Sequence, residues 1–409
     1  MNLSSYSAMH RCGEKLRPLR QLCRLFPILL ATHAGAAWAA EGDTFRPKLQ
    51  YSYTHTDNLF LLPDNLTPAQ MALYAPEGLS DNYQTLGAGI DVDWKQGRQE
   101  VLVNTLFSRT WFDTYSDLDY DGHDFLAQWN WVLGNHLKGE LGTTYVTSLG
   151  SFQNVYGVTN NARTNRNTYF NATYQFHPRW ETGLKLNHQS YEYDDASLAS
   201  SDYTEDDLDA GIYYRGGEVD RTGVEVSANR GNFPNRSAGS GLTTDYDGTA
   251  VRLVMDWSVT GKSRLHGRVG YLSQNYNQSG VQNYSGLNGR LAWDWTPTGK
   301  TLVNLAAYRE LYNTELAGAD YEEVGGIRAQ AQWQAFSKVA VGGLLSYEKD
   351  KYIGTTLDES VRTASLNATY KPWPIGDFTL SLQNQQRDSN NDLRDYQATM
   401  LNLSAMLRF

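Results

Sequence analysis

From about residue 45 to the C-terminus, apolar and polar residues alternate in runs of about ten, each followed by a turn or loop. Val251, Leu253, Met255, Trp257 and Val259 share one parity, while Arg252, Asp256 and Ser258 share the other. Leu265, Val269 and Tyr271 stand against Arg264, His266 and Arg268 in the next run. Further on, Ile327, Ala329, Ala331 and Trp333 oppose Arg328, Gln330, Gln332 and Gln334, and Phe378, Leu380 and Leu382 oppose Thr379, Ser381 and Gln383. A period of two is that of a β-strand with one apolar and one wet face. The pattern predicts strands beginning near residues 46, 82, 99, 122, 137, 164, 180, 204, 219, 244, 263, 284, 300, 322, 338, 359, 376 and 395, which is 18 strands.

The connections alternate in kind. Short turns are expected at Gln96-Gly97, Gly134-Asn135, His177-Pro178, Gly216-Gly217, Thr260-Gly261, Pro297-Thr298, Phe336-Ser337 and Pro374-Ile375, with longer polar loops between them, as at 57–81, 150–163, 193–204, 231–243 and 313–321. Aromatics on the apolar parity gather beside the short turns: Trp94, Trp131, Phe176, Trp180, Tyr214, Trp257, Trp293, Trp295, Trp333 and Tyr370. Indole and phenol rings favour the membrane–water boundary. The predicted fold is therefore all-β: an antiparallel transmembrane β-barrel of about 18 strands, with short periplasmic turns and long external loops.

Composition fits that picture. Charged residues make up 20% of the 409, aromatic residues 12%, and mean hydropathy is −0.54. A helical membrane protein would need apolar runs of about 20 residues. A barrel touches lipid with every second strand residue only, so its average stays polar.

Both ends carry addresses. Arg11, Lys15, Arg17, Arg20 and Arg24 precede a short apolar run, Leu25 to Ala37, and Ala37-Trp38-Ala39 has the small-x-small form of a cleavage site. Residues 1–39 are expected to be a cleaved signal peptide and 40–409 the barrel. The leader takes with it Cys12 and Cys23, leaving a mature chain without cysteine and more acidic than the overall −10. At the other end, Ala398 to Phe409 alternates and closes on Phe409, and resembles the last strand of outer-membrane barrels, which implies recognition by the barrel-assembly machinery. The expected location is the cell outer membrane, in contact with its lipid and lipopolysaccharide.

Candidate chemistry lies on the wet parity. Arg221, Arg252, Arg264, Arg268, Arg290 and Arg328 fall on the water-facing sides of consecutive strands, with Arg236 and Arg362 nearby. Strands about 4.8 Å apart would set these side chains on one wall. Asp91, Asp93, Asp124, Asp207, Asp209, Glu225, Asp256, Asp294 and Glu348 share the same interior. Two readings stay open: a path for anionic ligands, or ion pairs that stiffen the wall, such as Asp256 with Arg268 and Asp294 with Arg290. The acids Glu192, Asp194, Asp195, Asp202, Glu205, Asp206 and Asp207 read as a solvated external loop, because their spacing matches no defined calcium loop. His188-x-Ser190 is reminiscent of outer-membrane phospholipases, but Tyr191-Glu192 follows and His188 has lipid-facing parity. No catalytic, metal or cofactor site is expected, and an acidic chain argues against nucleic acid.

The first loop carries the sharpest motif. Asp57-Asn58-Leu59-Phe60-Leu61-Leu62-Pro63-Asp64 joins a turn pair to an apolar stretch, expected to fold inward as a constriction or plug or to pack on the rim. This motif, behind a signal peptide and ahead of a Phe-terminated barrel, resembles the EpsL-type outer-membrane proteins of exopolysaccharide, exosortase-linked operons. The resemblance implies a channel or accessory for exopolysaccharide export, working with polymer and periplasmic export components, and brings no mapped site residues. A general or substrate-specific uptake porin is the alternative, and a non-conducting structural barrel the second.

Overall fold

The computed structural model describes residues 44–409 except 156, 218–219, 238–241, 279, 315 and 317. The expected leader, 1–39, and its cleavage point lie outside the described residues. Eighteen strands follow one another: β1 (Phe45–Thr56), β2 (Asp81–Gln96), β3 (Gln99–Phe112), β4 (Tyr120–Leu133), β5 (Leu137–Leu149), β6 (Ala162–His177), β7 (Trp180–Tyr193), β8 (Tyr203–Arg215) and β9 (Arg221–Asn232) make the first half. The second half is β10 (Asp245–Thr260), β11 (Ser263–Tyr276), β12 (Tyr284–Thr298), β13 (Thr301–Tyr312), β14 (Tyr321–Phe336), β15 (Val339–Ile353), β16 (Asp358–Trp373), β17 (Gly376–Ser389) and β18 (Tyr396–Arg408). No start lies more than two residues from its predicted place.

Every strand pairs antiparallel with the next, and β1 pairs with β18 from Lys48↔Arg408 to Thr56↔Met400. The sheet is thus a closed barrel with no free edge, as a strand structure in hydrocarbon must be, since an unpaired backbone group there costs several kcal/mol. Short turns close one end; Gly97 and Gly134 take positive φ there, 62° and 59°, where a side chain would be strained.

Alternation sorts the two surfaces. Val251, Leu253, Trp257 and Val259 of β10 are exposed outward, and so are their counterparts on every other strand, such as Leu287, Ile327, Leu345, Leu366 and Leu403. A continuous apolar exterior of this size is a lipid-facing surface. The expected girdle stands at its short-turn margin; Trp131 alone is buried, at 7% exposure, between Trp129 and the stacked ring of Phe170. The interior is polar.

The apolar cores lie at the loop end. One gathers Phe60 and Leu62 of the first loop, Phe112 at the end of β3, Tyr115 and Leu118 of the β3–β4 connection, and Phe152 of the β5–β6 loop. The other joins Phe233, Tyr246, Ala250, Leu272, Tyr276, Tyr284 and Tyr321. A short helix, α1 (Pro68–Tyr74), begins in a Thr67–Gln70 capping box within the first loop. Among the described residues, no helix is long and apolar enough to cross a membrane.

Candidate functional site: a charged lumen beneath folded-in loops

The first loop is tied to the barrel seam. Asp57 Oδ1 accepts the Thr399 amide at 2.6 Å. Asn58 donates to the Leu62 and Gln397 carbonyls at 2.7 and 3.0 Å and accepts from the Leu62 amide at 3.0 Å. The Leu59 amide donates to the Leu79 carbonyl at 2.7 Å, folding the loop on itself. These bonds turn Phe60 under, fully buried, with its ring edge-on to Tyr115 at 4.7 Å and Phe152 at 5.0 Å.

The β5–β6 loop reaches past the seam to the β17–β18 corner. Arg387 donates to the Gln153 carbonyl at 2.8 Å, and Arg394 to Asn154 Oδ1 at 2.8 Å. Glu359 holds both guanidiniums, Arg394 at 2.5 Å and Arg387 at 3.6 Å, with all three side chains buried. Because Arg387 points inward from β17, residues 153–154 lie within the barrel outline at its outer mouth. On the other side of the mouth, Arg236 packs on the Phe233 ring at 3.6 Å and donates to the Thr243 and Ser200 carbonyls. Burial pushes its pKa down to about 10, and burial raises that of Asp320, which Arg236 partly offsets. Arg236 is thus a loop residue, outside the wall group, and Arg362 faces outward at the rim, paired with Asp388 at 3.1 Å.

The wall group keeps its predicted facing but not its predicted partners. Arg221 bonds Glu181 at 2.5 Å and lies over the Tyr213 ring at 3.4 Å. Arg264 forms a two-pronged pair with Asp256, at 2.5 Å from each oxygen. Arg290 forms another with Glu310, at 3.1 and 2.6 Å. Asp294 accepts from Asn304 at 2.6 Å and lies 3.0 Å from His266. The expected pairs Asp256–Arg268 and Asp294–Arg290 do not form. The β11–β12 register sets Arg268 directly opposite Arg290, and like charges so placed repel. Each is drawn off to a different acid: Arg290 to Glu310, Arg268 to Asp209 at 3.0 Å and to Glu225. Arg252 reaches Ser227 and Asn288 and lies 4.0 Å from Asp209. Arg328 points inward with its Nε buried and without a hydrogen-bond partner. A wall of free arginines is therefore not what the interior presents: its cations are largely matched.

Between β6 and β13 the lumen holds a cavity of 570 Å³. Arg252, Arg268, Lys185, Asp209, Asp207 and Glu205 give it charge; Asn171, Asn187, Asn229 and Asn288 give it amide hydrogen-bonding capacity; Tyr246 and Tyr312 give it phenols. Glycine makes room for one of these: a Cβ on Gly231 would sit 2.1 Å from the Tyr246 ring, whose hydroxyl donates to Glu205. Glu205 and Asp207 belong to β8 and face inward, with Asp206 outward against His188 at 2.7 Å. The expectation that these acids form one external loop is corrected: the strand begins at Tyr203, and its pleat splits them between two faces. Asp194, Asp195 and Asp202 remain in the loop. Ser197 holds the Asp195 carboxyl below the usual range. His188 is bonded to Asp206, not to Ser190. Among the described residues, no group of His, Cys, Asp and Glu could hold a metal ion.

Lys185, Glu181, Glu310 and Tyr246 were not singled out from the sequence. Parity alone would have placed them inward; their partnerships depend on the register between strands.

A closed barrel with an apolar exterior and a polar interior is the architecture of outer-membrane β-barrel proteins, porins among them. The family described as "Putative beta-barrel porin 2" matches residues 158–409, and the chain belongs to it. The chain is similar in fold to a BenF-like porin from Pseudomonas fluorescens Pf-5: 10% identity, 90% of this chain and 99% of that one covered, TM-score 0.51. Two Pseudomonas aeruginosa structures lie at TM-score 0.49: OpdK with vanillate (11% identity, 89% and 99% covered) and OccK2 (OpdF) in complex with glucuronate (10%, 89% and 98%). No curated protein matches.

Proposed function

We propose that the protein is a passive uptake porin for small polar solutes. The observation that carries this reading is the charge-lined cavity inside a closed 18-strand barrel whose outer mouth is narrowed by inward-folded loops. A barrel of this strand number is wide enough for an aqueous channel. Loops tied across the mouth, with Asp57, Asn58, Leu59 and Phe60 at the seam and Gln153–Asn154 at the neighbouring β17–β18 corner, would reduce it to a size filter. Arg221, Arg252, Arg264, Arg268, Arg290 and Arg328, with Asp256 and Asp294, would order water and solute along one wall through their paired charges. Membership in a porin family and likeness to a BenF-like porin support uptake over polymer export.

Exopolysaccharide export, the main expectation from sequence, draws support from the resemblance at Asp57–Asp64 alone. That segment packs into a loop core at the mouth, an arrangement that restricts a polymer more than a monomer. Lipopolysaccharide contact at the rim and recognition of Phe409 by the assembly machinery remain part of the proposal. Planar-bilayer recording tests it. Stepwise conductance is expected, with liposomes swelling in monosaccharides and amino acids but not in large dextrans. A complete lack of conductance would leave the non-conducting structural barrel; passage or block by long polymer but not by small solutes would restore export.

A further inference from the structure

The cavity's charges are separated along β8. Its outer end, nearer the long loops, holds Glu205 and Asp207. Glu205 accepts from the Tyr246 hydroxyl, and Asp207 from Asn187 at 3.2 Å. Among the described residues, neither has a lysine or arginine at ion-pairing distance. Deeper in, Asp209 has Arg268 at 3.0 Å, Lys185 at 3.8 Å and Arg252 at 4.0 Å, and Glu225 shares Arg268 and Lys185. Three cations face two carboxylates there, and Arg268 keeps a buried Nε with no hydrogen-bond partner. One end thus has carboxyl groups without a paired cation, and the other has more cations than carboxylates. The strand rise puts Glu205 about 13 Å from Asp209, with Asp207 between them on the same face.

That arrangement discriminates by charge pattern. A solute with only negative charge is repelled by Glu205 and Asp207 on the way in. One with only positive charge meets Arg252, Arg268 and Lys185. A solute with both charges, its cationic end toward the outer mouth, satisfies each end with a charge-assisted hydrogen bond. Free amino acids carry their charges too close together to reach both. An extended peptide gains about 3.3–3.6 Å per residue, so three to four residues span the gap. The amides of Asn171, Asn187, Asn229 and Asn288 can meet the peptide's own N–H and C=O groups, because each has both a donor and an acceptor end.

We infer that this cavity is a binding site for short zwitterionic peptides, ammonium toward Glu205 and Asp207 and carboxylate toward Arg252 and Arg268; as a transport step this rests on the uptake reading. The test uses the full chain in detergent and in bilayers, with tetraglycine against N-acetyl-tetraglycine, tetraglycine amide, N-acetyl-tetraglycine amide and glycine. Tetraglycine is expected to bind by calorimetry, and to interrupt the current, at a concentration about fivefold lower than any of the others, the scale of one partly screened ion pair. In E205Q/D207N tetraglycine should weaken to the level of N-acetyl-tetraglycine, and in R252Q to that of tetraglycine amide. Equal binding of all five probes would overturn the site while an intact conductance kept the porin reading. Selective binding in a barrel that never conducts would keep the site and remove the uptake reading.

Discussion

Phe60 illustrates how much a single buried side chain decides. It comes from a loop, yet it is fully buried, and its burial depends on three loops arriving together. Truncating a buried Phe to Ala typically costs about 3–5 kcal/mol. Here the cost would fall on the loop core alone, because the ladder hydrogen bonds of the barrel do not involve it. Phe60→Ala is therefore expected to leave a heat-modifiable, folded barrel whose outer loops are cut faster by protease. An unfolded barrel, or loops as resistant as in the wild type, would contradict this division. Sequence indicated that the apolar stretch had to be covered, since Leu-Phe-Leu-Leu in water is costly. It could not indicate by what: Phe152 comes from a loop read only as a polar connection, and Tyr115 from a connection the sequence did not mark out.

At the scale of elements, strands were legible and partnerships were not. Period two sets the facing of each residue, so Arg252, Arg264, Arg268, Arg290 and Arg328 were placed inward correctly from sequence. Pairing needs the register as well. The Arg268↔Arg290 juxtaposition, and the exchange of partners that relieves it, exist only once β11 and β12 are aligned. The same limit hid the mouth clamp, where Glu359, Arg387 and Arg394 come from β16, β17 and the β17–β18 corner. Removing one member of a buried pair costs about 3–5 kcal/mol, because the remaining charge is left without a partner. Glu359→Gln removes the carboxylate that both buried guanidiniums share. These are the groups that hold Gln153 and Asn154, so the β5–β6 loop should release. Larger single-channel conductance and faster proteolysis within residues 150–161 are expected. Unchanged values of both would show that the loop is held by its apolar contacts instead.

At the scale of the whole molecule, what matters is which charges remain uncompensated once all the pairs are made. Most interior cations sit on acids: Lys48 on Asp91 at 2.6 Å, Arg221 on Glu181, Arg264 on Asp256 and Arg290 on Glu310. Several carboxylates instead take their hydrogen bonds from neutral groups: Glu140 from Gln128 and Asn171, Glu205 from Tyr246, Asp207 from Asn187 and Glu348 from Tyr308. Phenols and amides stabilise a carboxylate without cancelling its charge, so the lumen retains a negative potential despite its conspicuous arginines. Rings of acid in a water-filled pore favour cations. In a KCl gradient near neutral pH, the reversal potential should therefore carry the sign of a weakly potassium-selective channel. The preference should shrink toward 1 M salt, where the screening length falls to about 3 Å. It should also weaken or reverse on acidification, because protonation removes the surplus acids while the guanidiniums keep their charge. Chloride selectivity at neutral pH would mean instead that Arg252 and Arg328 dominate the permeation path, and that the acids named here stand aside from it.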